Sequence, residues 1–220
     1  MKTTILIVFT VLCGFAYSQP RVITFEAEDE ADKNTELEKN LIKISIFEIF
    51  SGDFPIYYER ALNDYFSAEV SVGLTFGDYY GNVFGSSEIS PSATNVNARY
   101  GYSFSAALRF YPIEVLGDFY IAPEFKYRKY NWDREVETFI EDEPYVIQVD
   151  AEESRVYSMP RITLGYNYYY DYNINFDFHV GIGMNTPTEE IYDQKAFKVL
   201  ETRQNTQPRI HFGFKIAYLF

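Results

Sequence analysis

The chain has 220 residues, of which 47% are hydrophobic and 19% aromatic, and its 32 acidic against 19 basic side chains give a formal net charge of −13. Such acidity argues against nucleic acid as a partner. The mean hydropathy is −0.23, and no stretch beyond the amino terminus approaches the ~20 apolar residues of one helical span, which excludes a helical membrane protein.

Lys2, the apolar run Ile5 to Phe15 and the small-x-small site Ala16-Tyr17-Ser18 read as a secretory signal over residues 1–18, with the mature chain starting at Gln19. Cys13, the only cysteine, lies inside that signal behind Leu12, so the mature chain is expected to carry no thiol and no disulfide. Residues 19–39 form an acidic segment (Glu26, Glu28, Asp29, Glu30, Asp32, Glu36, Glu38) expected on the periplasmic side. A second acidic run extends from Glu135 to Glu153. Both read as solvated linker and loop, and divalent-cation binding is the functional alternative.

From there on the chain alternates with period 2. Eight strands are predicted: Leu41 to Phe50, Phe54 to Leu62, Phe66 to Gly77, Asn97 to Tyr111, Asp118 to Asn131, Ser154 to Tyr168, Tyr172 to Met184 and Pro208 to Phe220. Most have the ~9 to 11 residues of a tilted membrane strand. The third shows Phe66, Ala68, Val70, Val72, Leu74 and Phe76 on one face and Ser67, Glu69, Ser71, Gly73 and Thr75 on the other. The last places Ile210, Phe212, Phe214, Ile216, Tyr218 and Phe220 on its apolar face. A closing aromatic strand of this kind is expected to act as the recognition element for the barrel-assembly machinery, with Tyr218 and Phe220 as its final side chains.

Connections add to this reading. Asn63 to Tyr65, Pro112 to Gly117 and Tyr169 to Asp171 are short, whereas Asp78 to Val96, Trp132 to Glu153 and Asn185 to Gln207 are long. Alternation of short and long fits an eight-stranded antiparallel up-and-down transmembrane β-barrel over residues 40–220, with periplasmic termini and long extracellular loops. The hairpin Ser51-Gly52-Asp53 is the exception, a short loop that leaves one side of the rim low. A soluble lipid-binding barrel would turn its apolar face inward, and its outer face would carry long charged side chains. Here the polar face is rich in Gly, Ser, Ala, Thr and Asn with isolated charges, as suits a narrow lumen.

Lys43, Arg109, Lys126, Arg128, Arg161 and Lys215 fall on that polar face, with Glu59, Glu69, Glu124 and Asp177 of opposite sign. An eight-stranded interior is just wide enough to be filled by side chains, so these groups are expected to pair in a plug instead of lining an open pore. The alternative is a narrow path for protons or small solutes. Arg60 and Glu48 fall on the apolar face by parity, near strand ends where water or headgroups would take the charge. His179 and His211 fall on the lumen face. With Asp177 two residues away, His179 would be half of a catalytic pair in a lipid-modifying enzyme, but a hydrogen-bonded lumen residue is the simpler reading. No nucleophile turn, metal-ligand cluster or phosphate-cradling loop is present, so no catalytic residue, metal or cofactor is expected.

Asn40-Leu41-Ile42-Lys43-Ile44 with Ile56-Tyr57-Tyr58-Glu59-Arg60-Ala61-Leu62-Asn63 resembles the first hairpin of small outer-membrane barrel proteins common in Bacteroidota. Ala107-Leu108-Arg109-Phe110-Tyr111 followed by Gly117-Asp118-Phe119-Tyr120-Ile121-Ala122-Pro123-Glu124 is similar to the fourth and fifth strands of that family. The resemblance implies a barrel of OmpA or OmpX architecture in the bacterial outer membrane and brings no catalytic residues. The function expected is therefore non-enzymatic, in envelope integrity or surface interaction, with lipopolysaccharide and unidentified surface molecules as partners of the loops. A lipid A-modifying enzyme and a narrow channel are the alternatives.

Overall fold

A computed structural model of the chain describes residues 40–77, 96–139, 146–193, 198–203 and 205–220. The signal and the acidic segment, as well as most of the connection from Asp78 to Val96, lie outside the described residues. The elements are β1 (Asn40–Ser45), α1 (Ile46–Phe50), β2 (Asp53–Ala61), β3 (Phe66–Phe76), β4 (Val96–Phe110), β5 (Phe119–Phe139), β6 (Val146–Tyr169), β7 (Ile174–Asp193), β8 (Lys198–Arg203) and β9 (Gln207–Leu219).

Neighbouring strands run antiparallel from β1 round to β7, and β9 closes the ring between β7 and β1. The β1–β9 ladder runs from Leu41↔Leu219 to Ser45↔Lys215. β8 lies along the far part of β7, from Thr188↔Arg203 to Asp193↔Lys198, while β9 takes the near part from Asn185 down. β8 and β9 thus form one interrupted wall of a closed, eight-stranded antiparallel barrel.

Alternation along each strand decides what each face meets. In β2 the odd residues Asp53, Tyr57, Glu59 and Ala61 are buried, and the even residues Phe54, Ile56 and Tyr58 are exposed. The inside is therefore the polar side. The outside is apolar: Val72, Leu74, Ile162, Ile182 and Phe212 are among many large hydrophobic side chains exposed there.

The end bearing Asn40 and Phe220 is closed by a floor. Leu41, Ala61, Tyr111, Tyr120, Ala122 and Ala217 cluster there with Leu116, which the β4–β5 turn folds inward. Leu116 has φ of 61°, a left-handed conformation that costs a residue with a β-carbon about 1–2 kcal/mol. Burial of its side chain and a 2.5 Å hydrogen bond from the Tyr169 hydroxyl to its carbonyl hold it there. Gly165 backs the Tyr120 ring so closely that a β-carbon would collide with it, which leaves Tyr120 room to lie against the wall.

Three expectations are corrected. The first strand does not run to Phe50: β1 ends at Ser45 and α1 follows, closed by Ser51 N–H to the Glu48 carbonyl (2.9 Å) and Gly52 N–H to the Ile49 carbonyl (3.0 Å). Glu48 accordingly does not sit on the apolar face, because the helical turn breaks strand parity and swings it inward, where it is buried. The stretches Trp132 to Glu153 and Asn185 to Gln207 are not simply long loops. β5 and β6 pair without interruption up to Phe139↔Val146, and β7 pairs with β8 up to Asp193. Apolar alternation fades there because the outward positions are polar or charged, as at Asp133, Glu135 and Glu152, while Trp132, Val136 and Ala151 still turn inward and are buried.

Candidate functional site: the charged lumen

Two layers of charge cross the barrel above the floor. In the first, Lys43, Arg109 and Lys215 meet Glu59, Glu69 and Asp177, each of them at most 2% exposed. The Lys43 Nζ lies 2.5 Å from Glu59 Oε2, 3.2 Å from Glu69 Oε2 and 3.0 Å from Asp177 Oδ2. Arg109 donates to Asp177 at 2.8 Å and to Glu69, and Lys215 donates to Glu69 Oε1 at 2.6 Å. The outer oxygens are taken by the floor: the Tyr111 hydroxyl donates to Glu59 and the Tyr120 hydroxyl to Asp177, both at 2.6 Å, and Ser67 donates to Glu59. The Arg109 guanidinium also stacks 4.1 Å over the Tyr120 ring, and the Lys215 ammonium lies 3.8 Å over the Tyr57 ring.

The second layer lies toward the rim. Lys126 reaches Glu48 at 2.7 Å and Asp53 at 3.1 Å, Arg128 reaches the same two carboxylates at 2.7 Å each, and Arg161 holds Glu124 through two nitrogens at 2.6 and 2.9 Å. The Tyr57 hydroxyl joins the layer by donating to Glu48 at 2.5 Å and accepting from Lys126 at 2.9 Å.

The ten charged residues expected on the lumen face, Lys43, Glu59, Glu69, Arg109, Glu124, Lys126, Arg128, Arg161, Asp177 and Lys215, thus lie in one or other layer. Two further partners are not among them. Parity assigns Glu48 outward and the turn signal takes Asp53, yet both are buried beside Lys126 and Arg128. The sequence does hold a signal for them: six cations against four carboxylates leaves two charges to be matched in a low-dielectric interior, and Glu48 and Asp53 flank the first hairpin. With them each layer holds three cations and three carboxylates.

Among the described residues no serine, threonine or cysteine is hydrogen-bonded to either histidine. His179 has its Nδ1 3.5 Å from Asp177 Oδ1, and its ring packs against Gly213, where a β-carbon would not fit. The Asp177 carboxylate is already engaged by Lys43, Arg109 and Tyr120. His211 lines the rim-side cavity. Among the described residues no group of His, Cys, Asp and Glu side chains has the arrangement of a metal site.

Tyr218 and Phe220 lie outward at the floor end, about half exposed. Phe220 closes the ring by two backbone hydrogen bonds with Asn40, at 2.9 and 3.2 Å.

No protein-family model matches the chain, and no curated protein matches it. Among solved structures it is similar to a major outer membrane protein from Thermus thermophilus, at 15% sequence identity and a TM-score of 0.39, over 83% of this chain and 99% of that one.

Proposed function

We propose that the chain is a non-enzymatic protein of the bacterial outer membrane, with a plugged polar lumen that is structural and a rim that acts in envelope integrity or surface interaction. The inversion of polarity across the wall carries this reading. A barrel with charges paired inside and exposed Phe, Ile, Leu and Val outside is matched to hydrocarbon as its surrounding solvent, because the strands close on one another and, among the described residues, no charge faces outward through the middle of the band.

The band has limits that support the same reading. On β7 the exposed apolar residues end at Met184, and the outward positions Thr186, Thr188 and Glu190 follow. On β5 the change comes after Tyr127, with Lys129, Asn131 and Asp133. Aromatic pairs mark both borders: Phe66 with Phe110 (5.2 Å) and Tyr168 with Phe176 (6.5 Å) near the floor, and Phe76 with Tyr100 (5.3 Å) and Tyr102 with Tyr127 (5.8 Å) toward the rim. The tyrosines among them, Tyr100, Tyr102, Tyr127 and Tyr168, have the amphipathic rings that favour membrane interfaces. In this orientation the floor, with Asn40 and Phe220 beside it, faces the periplasm and the β5–β6 and β7–β8 hairpins stand outside the cell.

Above the band the hairpins are held by side chains. Trp132 Nε1 donates to Glu153 at 2.8 Å, Arg134 reaches the same carboxylate at 2.6 Å and Arg155 pairs with Glu189 at 2.7 Å. Arg99, exposed at this level, bonds Glu152 (2.7 Å) and Asp133 (3.2 Å), and these hydrogen bonds raise its already high pKa further. A raised wall held by such contacts is a suitable platform for lipopolysaccharide or a surface partner. The test is fractionation: the protein is expected in the outer-membrane fraction, with heat-modifiable migration on SDS gels. Recovery of the mature protein as a soluble periplasmic species would overturn the reading.

A further inference from the structure

The barrel wall is incomplete at one place. β1 stops opposite Lys215, so β9 from Gln207 to Phe214 has β7 along one edge and, among the described residues, α1 alone beside the other, where the Phe47 ring lies 6.4 Å from Phe214. Among the described residues no backbone hydrogen bond joins α1 to β9. An unpaired strand edge is costly against hydrocarbon and persists at membrane depth only where protein covers it or a wet cavity runs beside it.

Such a cavity is present. It measures about 830 Å³, within the range of small-ligand sites, and Phe47, Ile210 and Phe212 stand at its side next to the seam. Ile210 and Phe212 are 63% and 70% exposed on the outer wall, so the seam borders the same apolar surface as the rest of the band. Deeper in, the lining turns polar with Arg128, Arg161, His211, Asn185 and Arg209. Arg128 and Arg161 are neutralised by Glu48, Asp53 and Glu124. Arg209 has no ion-pair partner among the described residues, so it adds an unbalanced positive charge to the cavity. His211 Nε2 and Asn185 Oδ1 are buried there without hydrogen-bond partners. Arg209 is also placed at the border of the band, next to Pro208, which pairs with Met184.

We propose that this seam is a lateral port for an anionic single-chain amphiphile of the outer leaflet: its phosphate or carboxylate head rests against Arg209 and His211, and its acyl chain leaves the barrel between Phe47 and Phe212. The site binds and does no covalent chemistry. The proposal rests on the membrane-spanning reading, since only a barrel in a bilayer has lipid at this seam.

The probe is dodecyl phosphate, added to the full mature barrel in an uncharged maltoside detergent and counted by native mass spectrometry, with heat-modifiable migration as the check of folding. One dodecyl phosphate per barrel is expected. Arg209→Gln should reduce the bound fraction at least fivefold, whereas Arg60→Gln, an exposed arginine at the floor end of β2, should leave it unchanged. Inorganic phosphate at the same concentration should neither be retained nor displace the probe. Displacement by inorganic phosphate would overturn the port in favour of a soluble-anion site, and equal retention by Arg209→Gln or no retention by the folded wild type would overturn it outright. A chain that never gives a heat-modifiable barrel would instead overturn the membrane reading, and the port with it.

Discussion

Glu69 and Lys215 stand 146 residues apart in the chain and meet at 2.6 Å inside the barrel, the first on β3 and the second on β9. β1 and β2 separate those strands in the wall, so the contact spans the lumen instead of following the sheet. Glu69 also receives Arg109 and lies 3.2 Å from Lys43, which makes it the carboxylate on which all three cations of the layer converge. Glu69→Ala leaves those cations short of one partner, and the expected loss is about 3–5 kcal/mol, the usual consequence of breaking a buried pair. Thermal unfolding in detergent, followed by circular dichroism or by the gel shift, should show a clearly lower midpoint; an unchanged midpoint would mean that the layer is not a stabilising plug.

The rim-side layer is testable by coupling. Glu48→Gln and Arg128→Gln should each destabilise the barrel, and the double variant should lose less than the sum of the two. The coupling expected for groups in direct contact is about 0.5–3 kcal/mol. Additive losses would show that the 2.7 Å contact between them carries no energy.

Conductance separates plug from channel. Tyr111, Tyr120 and Leu116 close the floor, and the two charge layers stand across the lumen between it and the rim-side cavity. Purified wild-type protein in planar bilayers is expected to give no stable current. Steady ion-selective steps that disappear on altering Arg109 or Lys126 would favour the channel.

Assembly should depend on Phe220. Deleting Phe220 removes both backbone hydrogen bonds to Asn40 and the last outward aromatic after β9. A lower yield of heat-modifiable protein in the outer membrane is the expected outcome, and an undiminished yield would argue against a role for Phe220 in assembly.

Enzyme and scaffold differ at His179. Its ring is wedged against Gly213 beside an Asp177 carboxylate that three other groups already hold. His179→Asn should leave the lipid A acyl pattern of the cells unchanged while altering stability modestly. Mass spectrometry of lipid A from cells with wild type, His179→Asn or no protein gives the answer, and an acyl difference that tracks His179 would establish an enzyme.

Local alternation determined most of this molecule. Whether Val72 or Ser71 faces out is settled by a two-residue period that the pleat imposes on any strand, so the faces of β2, β3, β4 and β9, and with them the charges gathered inside, are legible from sequence alone. Tertiary structure decided what breaks that period or completes a balance across the lumen. Residues 46–50, Ile-Phe-Glu-Ile-Phe, continue the apolar run of β1 but without its alternation, and they form a helical turn that delivers Glu48 to Lys126 and Arg128; those cations come from β5, about eighty residues further on. Asp53 is drawn in by the same two cations. The ascent of β5 to β8 above the apolar band was hidden for a related reason: where water replaces hydrocarbon outside, outward positions turn polar and the contrast that reveals a strand is lost. The seam beside β9 is the least local feature of all, since it exists only because β1 ends where the ring still needed a wall.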